Sequence, residues 1–155
     1  MARGKAFAVV GHKHWGKSKT LKALTDGDIY QRKCMIKAKK FLVRRMSNDD
    51  RPQSFYDLLN DLRPDQWQYV ILALCPTLTD KRQRALLVPI LQSFRKRYRL
   101  FFFVLRTDYY KRTRRITDDE IDLLTRFGTV KVFLDPKANP TTRARAFKRF
   151  VAKNV

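Results

Sequence analysis

Apolar positions along this chain fall into two patterns. Ala6-Phe7-Ala8-Val9-Val10, Tyr69–Leu74, Leu100–Leu105 and Val130–Leu134 are short, near-continuous apolar runs. Such runs predict strands covered on both faces. Between them, apolar residues recur at helical spacing. Residues 17–25 predict a first helix, broken by Asp26-Gly27-Asp28. Ser54–Leu62 predicts a second, with Phe55, Leu58, Leu59 and Leu62 on one face. Residues 79–97 predict a third, with Leu86, Leu87, Ile90, Leu91 and Phe94 inward and Pro89 kinking or shortening it. Asp118–Phe127 follows, with Ile121, Leu123 and Leu124 packing, Thr117 as cap, Glu120 at the capping-box position and Gly128 as the stop. A last helix is capped by Asn139, has Pro140 in its first turn, and carries an apolar stripe of Ala144, Phe147, Phe150 and Val151. Residues 33–46 hold two apolar triplets, Cys34-Met35-Ile36 and Phe41-Leu42-Val43, and read equally as one long strand or two short ones. Strand and helix alternate throughout. That order predicts an α/β three-layer sandwich around a mainly parallel, about five-stranded sheet, with one domain spanning residues 1–155.

The turn between the first strand and the first helix carries the chemistry. Gly11-His12-Lys13-His14-Trp15-Gly16-Lys17-Ser18 fits the spacing G-x-x-x-x-G-K-[ST]. A loop wrapped on a polyphosphate turns backbone N–H groups inward, and the helix that follows adds the positive end of its dipole. The segment resembles the Walker A motif of P-loop NTPases. The resemblance implies that Gly11, Lys13, His14, Trp15, Gly16, Lys17 and Ser18 cradle phosphates through main-chain amides and the Lys17 ammonium. It implies that Ser18 holds Mg²⁺, a hard cation that takes oxygen ligands. Such proteins also place an acid near the metal. Here the Tyr69–Leu74 strand ends at Cys75-Pro76-Thr77 with no carboxylate. Asp49 and Asp50 are the substitute acids for the Mg²⁺ site, with Asp80 behind them; the alternative for the Asp49-Asp50 pair is a plain polar turn. The order of elements is similar to that of small Ras-like GTPases. At the place of their Asn/Thr-Lys-x-Asp guanine-reading motif this chain has Leu105-Arg106-Thr107-Asp108. Asp108 then takes the base-reading position and Arg106 replaces the lysine. The chain departs from that family in lacking Asp-x-x-Gly after the earlier strand and any threonine in residues 26–46. Nucleotide kinases share the size and rhythm, and Lys111–Arg115 would serve there as a phosphate clamp or lid.

Composition narrows the partners. With 35 basic and 14 acidic residues, net charge is +21 and the pI about 10.6. That excess points to a polyanion: nucleic acid, a ribonucleoprotein or an anionic membrane surface. The basic residues are spread along the chain, so the fold must assemble any binding face. Lys111, Arg112, Arg114 and Arg115, beside Tyr109-Tyr110, mix cations with aromatics as single-strand binders do; the alternative is a solvated basic face beside aromatics half buried at a sheet edge. The last helix adds Arg143, Arg145, Lys148 and Arg149. An apolar content of 44% argues for a packed core and against disorder. Two cysteines, Cys34 and Cys75, are too few and too far apart for a disulfide framework or zinc site, and Cys75 reads as a buried small residue; both suit a reducing, cytoplasmic setting. His12 and His14 alternate along a loop with no third ligand beside them, which argues against a metal pair. No signal peptide is legible, and no apolar stretch approaches the roughly 20 residues that span a bilayer. The resulting expectation is Mg²⁺-dependent binding of ATP or GTP with slow hydrolysis, coupled to a nucleic acid or ribonucleoprotein. No water-positioning catalytic residue is evident. The alternatives are a catalytically degenerate nucleotide-sensing or nucleic-acid-binding module and a small nucleotide kinase.

Overall fold

The computed structural model describes residues 3–12, 17–25, 33–48, 51–76, 81–106, 116–134 and 139–155. In chain order the elements are β1 (Gly4–Val10), α1 (Lys17–Leu24), β2 (Lys33–Ile36), β3 (Lys39–Val43), α2 (Pro52–Asp61), β4 (Tyr69–Leu74), α3 (Lys81–Phe94), β5 (Tyr98–Leu105), α4 (Asp118–Thr125), β6 (Gly128–Phe133) and α5 (Pro140–Asn154). Among the described residues the strands form one six-stranded sheet in the order β2-β3-β4-β1-β5-β6. All neighbours pair in parallel except β2 and β3. The expectation of about five strands falls short by one, because residues 33–46 make a hairpin. Its two-residue turn, Lys37-Ala38, has φ of 53° and 61°. Positive φ at both central positions matches the right-handed twist of the flanking strands, and Asn-Gly is the usual way to reach it. Neither Lys nor Ala advertises such a turn. The Lys37 ammonium donates to the Ala152 carbonyl at 3.3 Å and ties the hairpin to α5.

The sheet order decides which helix covers which face. From β1 the chain crosses in one direction to β3, then returns stepwise through β4, past β1, to β5 and β6. Right-handed crossovers in opposite directions put their helices on opposite faces. On one face Ala6, Ala8, Leu72, Leu74, Leu100 and Phe102 meet Phe55 and Leu59 of α2 and Leu91 and Phe94 of α3. On the other, β1 and β5 present rings to α5: Phe7 stacks on Phe101 at 4.7 Å, and Phe103 meets Phe147 edge-on at 5.5 Å. Burying one such ring contributes about 1.5–3 kcal/mol, so this aromatic layer carries much of the core. The result is an α/β three-layer arrangement. Among the described residues no helix is long and apolar enough to cross a membrane.

Local signals succeed and fail for identifiable reasons. The Thr117 hydroxyl accepts from Glu120 N at 3.2 Å while the Glu120 carboxylate accepts from Thr117 N at 3.1 Å, a complete capping box. Asn139 Oδ1 accepts from Thr142 N at 2.8 Å, with Pro140 in the first turn. In α3 the buried stripe is Leu87, Leu91 and Phe94, and Leu86 is exposed. The helix runs through Pro89 and ends at Phe94, short of the residue 97 expected. Gly128 is not a helix stop: α4 is capped at Arg126 in a helical conformation, and Gly128 opens β6. A Cβ there would lie 2.0 Å from the Leu100 carbonyl oxygen, so close approach of β6 to β5 is what demands glycine.

Candidate functional site

In an open parallel sheet the ligand crevice lies beyond the carboxyl ends of the strands, where neighbouring connections depart to opposite faces. Here that point is β1, flanked by β4 and β5. Its last residue, Val10, passes into Gly11, whose N–H donates to Leu74 O at 3.0 Å and so extends the pairing with β4. The chain enters α1 at Lys17. The Lys17 side chain is buried, and its ammonium donates to Gly11 O at 2.6 Å and His12 O at 3.1 Å. The cationic head therefore lies against the first residues of the motif, at the positive end of α1. Ser18, the next residue, is exposed on the first turn.

A line of polar side chains braces this corner. Asn48 is almost fully buried, and its amide spans one residue of the neighbouring strand end: Nδ2 donates to Cys75 O at 2.9 Å and Oδ1 accepts from Cys75 N at 2.7 Å. Cys75 is buried as expected, and its Sγ lies 3.8 Å from His12 Nδ1. The other ring nitrogen, His12 Nε2, faces Glu120 Oε2 at 3.9 Å. Glu120 thus has two tasks: one carboxylate oxygen closes the cap of α4 and the other faces the imidazole. His12 connects the ends of β1 and β4 to α4. The strand end without a carboxylate is filled by a neutral amide.

Arg106 follows the last residue of β5, and its Nη2 donates to Asp118 Oδ1 at 2.7 Å. Ile116 N donates to Arg106 O at 3.0 Å, so the chain leaves and returns at the same point. Behind α1, Arg143 of α5 is buried and its Nε donates to Thr20 Oγ1 at 3.0 Å. Arg143 therefore leaves the proposed basic face and locks α5 to α1, while Arg145, Lys148 and Arg149 stay exposed.

Of the residues singled out from sequence, Gly11, Lys17, Ser18 and Arg106 gather at the carboxyl end of the sheet. Lys13, His14, Trp15, Gly16, Asp49, Asp50, Asp80, Asp108, Lys111, Arg112, Arg114 and Arg115 lie outside the described residues. Among the described residues no group of three His, Cys, Asp or Glu is arranged to hold a metal. Sequence reasoning missed Asn48, the pairing of Glu120 with His12, and the buried pairing of Arg143 with Thr20. Asn48 sits in a run that reads as a polar loop, and only its pairing with Cys75, 27 residues away, reveals it. Compared with protein-family models and with curated proteins, the chain matches none.

Proposed function

We propose that this chain is a P-loop NTPase-like protein that binds ATP or GTP with Mg²⁺, hydrolyses it slowly, and works with a nucleic acid or ribonucleoprotein. One observation carries the reading. The G-x-x-x-x-G-K-S segment joins the central strand to a helix N-terminus at the switch point of the sheet, with the Lys17 ammonium folded onto Gly11 and His12. In this reading the amides of residues 13–18 and Lys17 hold the phosphates. Ser18 fits Mg²⁺, which is ordinarily bound by few protein oxygens together with substrate phosphates and so needs no all-protein cage. Asp49 or Asp50 faces its water shell, and Asp108 reads the base. Arg106 pairs with Asp118, which leaves it the lesser role at the base.

A second reading is favoured by the end of β4. There Asn48 occupies both backbone groups of Cys75, where a catalytic P-loop protein would carry an acid. That favours binding without turnover. Titration calorimetry with Mg·ATP and Mg·GTP tests the shared premise. Lys17→Ala should weaken binding at least tenfold, the loss of charge-assisted bonds worth about 1.5–3 kcal/mol, with far-ultraviolet circular dichroism unchanged. Unchanged affinity would refute the phosphate-site assignment. Phosphate release, with and without RNA, then separates the two readings.

A further inference from the structure

At the end of the sheet opposite Gly11 and Lys17, the starts of β1, β5 and β6 enclose an open concavity of about 520 Å³. Five cationic side chains line it: Arg3, Arg95, Lys96, Arg99 and Arg126. No carboxylate does, among the described residues. We propose that this pocket docks the phosphate backbone of a nucleic acid. The inference deepens the polyanion half of the proposed function and rests on it; it is independent of the nucleotide half.

The way these cations are held makes the pocket a built one. Arg3 Nη2 donates to Arg95 O at 2.6 Å, and Arg95 Nη1 donates to Arg126 O at 2.9 Å. Carbonyl oxygens orient a guanidinium without cancelling its charge. The Arg95 guanidinium also lies over the Phe127 ring and that of Arg99 over Phe101, both at 5.9 Å. Planar forks braced this way present several N–H donors in fixed directions, the geometry that matches phosphate oxygens. Like charge is concentrated at this end: burial, and after it the neighbouring Arg63, hold the Arg97 guanidinium below its ordinary range. Phe101 and Phe127 are buried beneath the cations, so the rings serve as props and offer no face for a base to stack on. Recognition is then by phosphate, salt-sensitive and indifferent to sequence. A flexible strand can follow a concavity along its length and set several phosphates against these donors, which a plane of lipid headgroups does less well. β1 is seven residues long, so the pocket lies roughly 20 Å from the Gly11 end of the same strand. Docked nucleic acid and bound nucleotide therefore occupy separate sites.

The test is fluorescence anisotropy of a labelled single-stranded 12-nucleotide RNA of mixed sequence, without nucleotide, across a salt series. Lys96→Ala/Arg99→Ala should bind roughly tenfold or more weakly, and its salt slope should be shallower by about 1.4, at ~0.7 per lost phosphate contact. Lys22→Ala/Lys39→Ala, on α1 and β3, removes the same charge from exposed positions outside the pocket and should bind nearly as the parent does. Equal losses in the two variants, or no loss in the first, would overturn the site while leaving RNA binding established. Absence of RNA binding by the parent protein would overturn both the site and the polyanion half of the function. Capture by phosphatidylserine vesicles that depends on Lys96 and Arg99, without RNA binding, would overturn it in favour of a membrane surface.

Discussion

Replacing Asn48 by alanine removes two buried hydrogen bonds at once, and the cost can be worked from their geometry. The side chain is 1% exposed, and its bonds of 2.9 and 2.7 Å satisfy both the carbonyl and the N–H of Cys75. Alanine leaves those two backbone groups buried without partners, at about 1–3 kcal/mol each. The expected destabilisation is therefore about 2–6 kcal/mol, a large share of the 5–15 kcal/mol typical of a folded domain. Urea denaturation followed by tryptophan fluorescence reads it. With a slope of about 2 kcal/mol per molar, the midpoint should fall by roughly 1–3 M. Asn48→Asp sharpens the test. It keeps an acceptor for Cys75 N but sets a carboxylate oxygen against Cys75 O, so the variant should regain stability as acid protonates it. The exposed Asn60→Ala should stay within about 0.5 kcal/mol of the parent. If Asn48→Ala does the same, the amide does not hold the end of β4 and the account of this corner is wrong.

Two further outcomes follow from backbone strain and from burial. Ala38→Gly supplies a residue that tolerates positive φ, keeps the Lys37 bond to Ala152 O, and should raise stability by about 1 kcal/mol, or Tm by about 2–4 °C. A lower Tm in calorimetry would show that the strain is not there. Burial pushes the Tyr98 phenol up to about 12 and the Cys34 thiol up to about 11. The folded chain keeps these protons while the unfolded chain releases them. Stability from these groups is thus complete below about pH 9 and is lost as pH rises through the folded values. Tyr98→Phe should flatten the decline between pH 10 and 12 and, at pH 8, cost about 1 kcal/mol for the lost bond to Trp67 O. An unchanged alkaline slope in urea titrations would contradict this.

What the sequence disclosed is what local rules govern. Buried runs such as Tyr69–Leu74 identified strands because both faces of a parallel sheet are covered. Thr117 with Glu120, and Asn139 with Pro140, marked helix starts because capping is settled within four residues. The motif from Gly11 to Ser18 was legible for the same reason. What escaped depended on partners distant in the chain. Leu86 shares the apolar character of Leu87, but the neighbour that α3 packs against decides which is buried. Arg143 reads as one more surface cation until Thr20 is found beside it. Lys37-Ala38 makes a turn that packing against α5 holds in place. The basic pocket draws Arg3, then Arg95, Lys96 and Arg99, then Arg126 from three separate stretches, so no window of sequence contains it.

Contacts between arginine and carboxylate loosen when a solution turns acidic, because the acid neutralises the partner. The guanidinium groups of Arg3 and Arg95 rest on peptide oxygens instead. Peptide oxygens do not titrate, and arginine keeps its proton throughout the physiological range. The rim that these side chains form should therefore hold the same shape and the same positive potential in a mildly acidic compartment as in a neutral one.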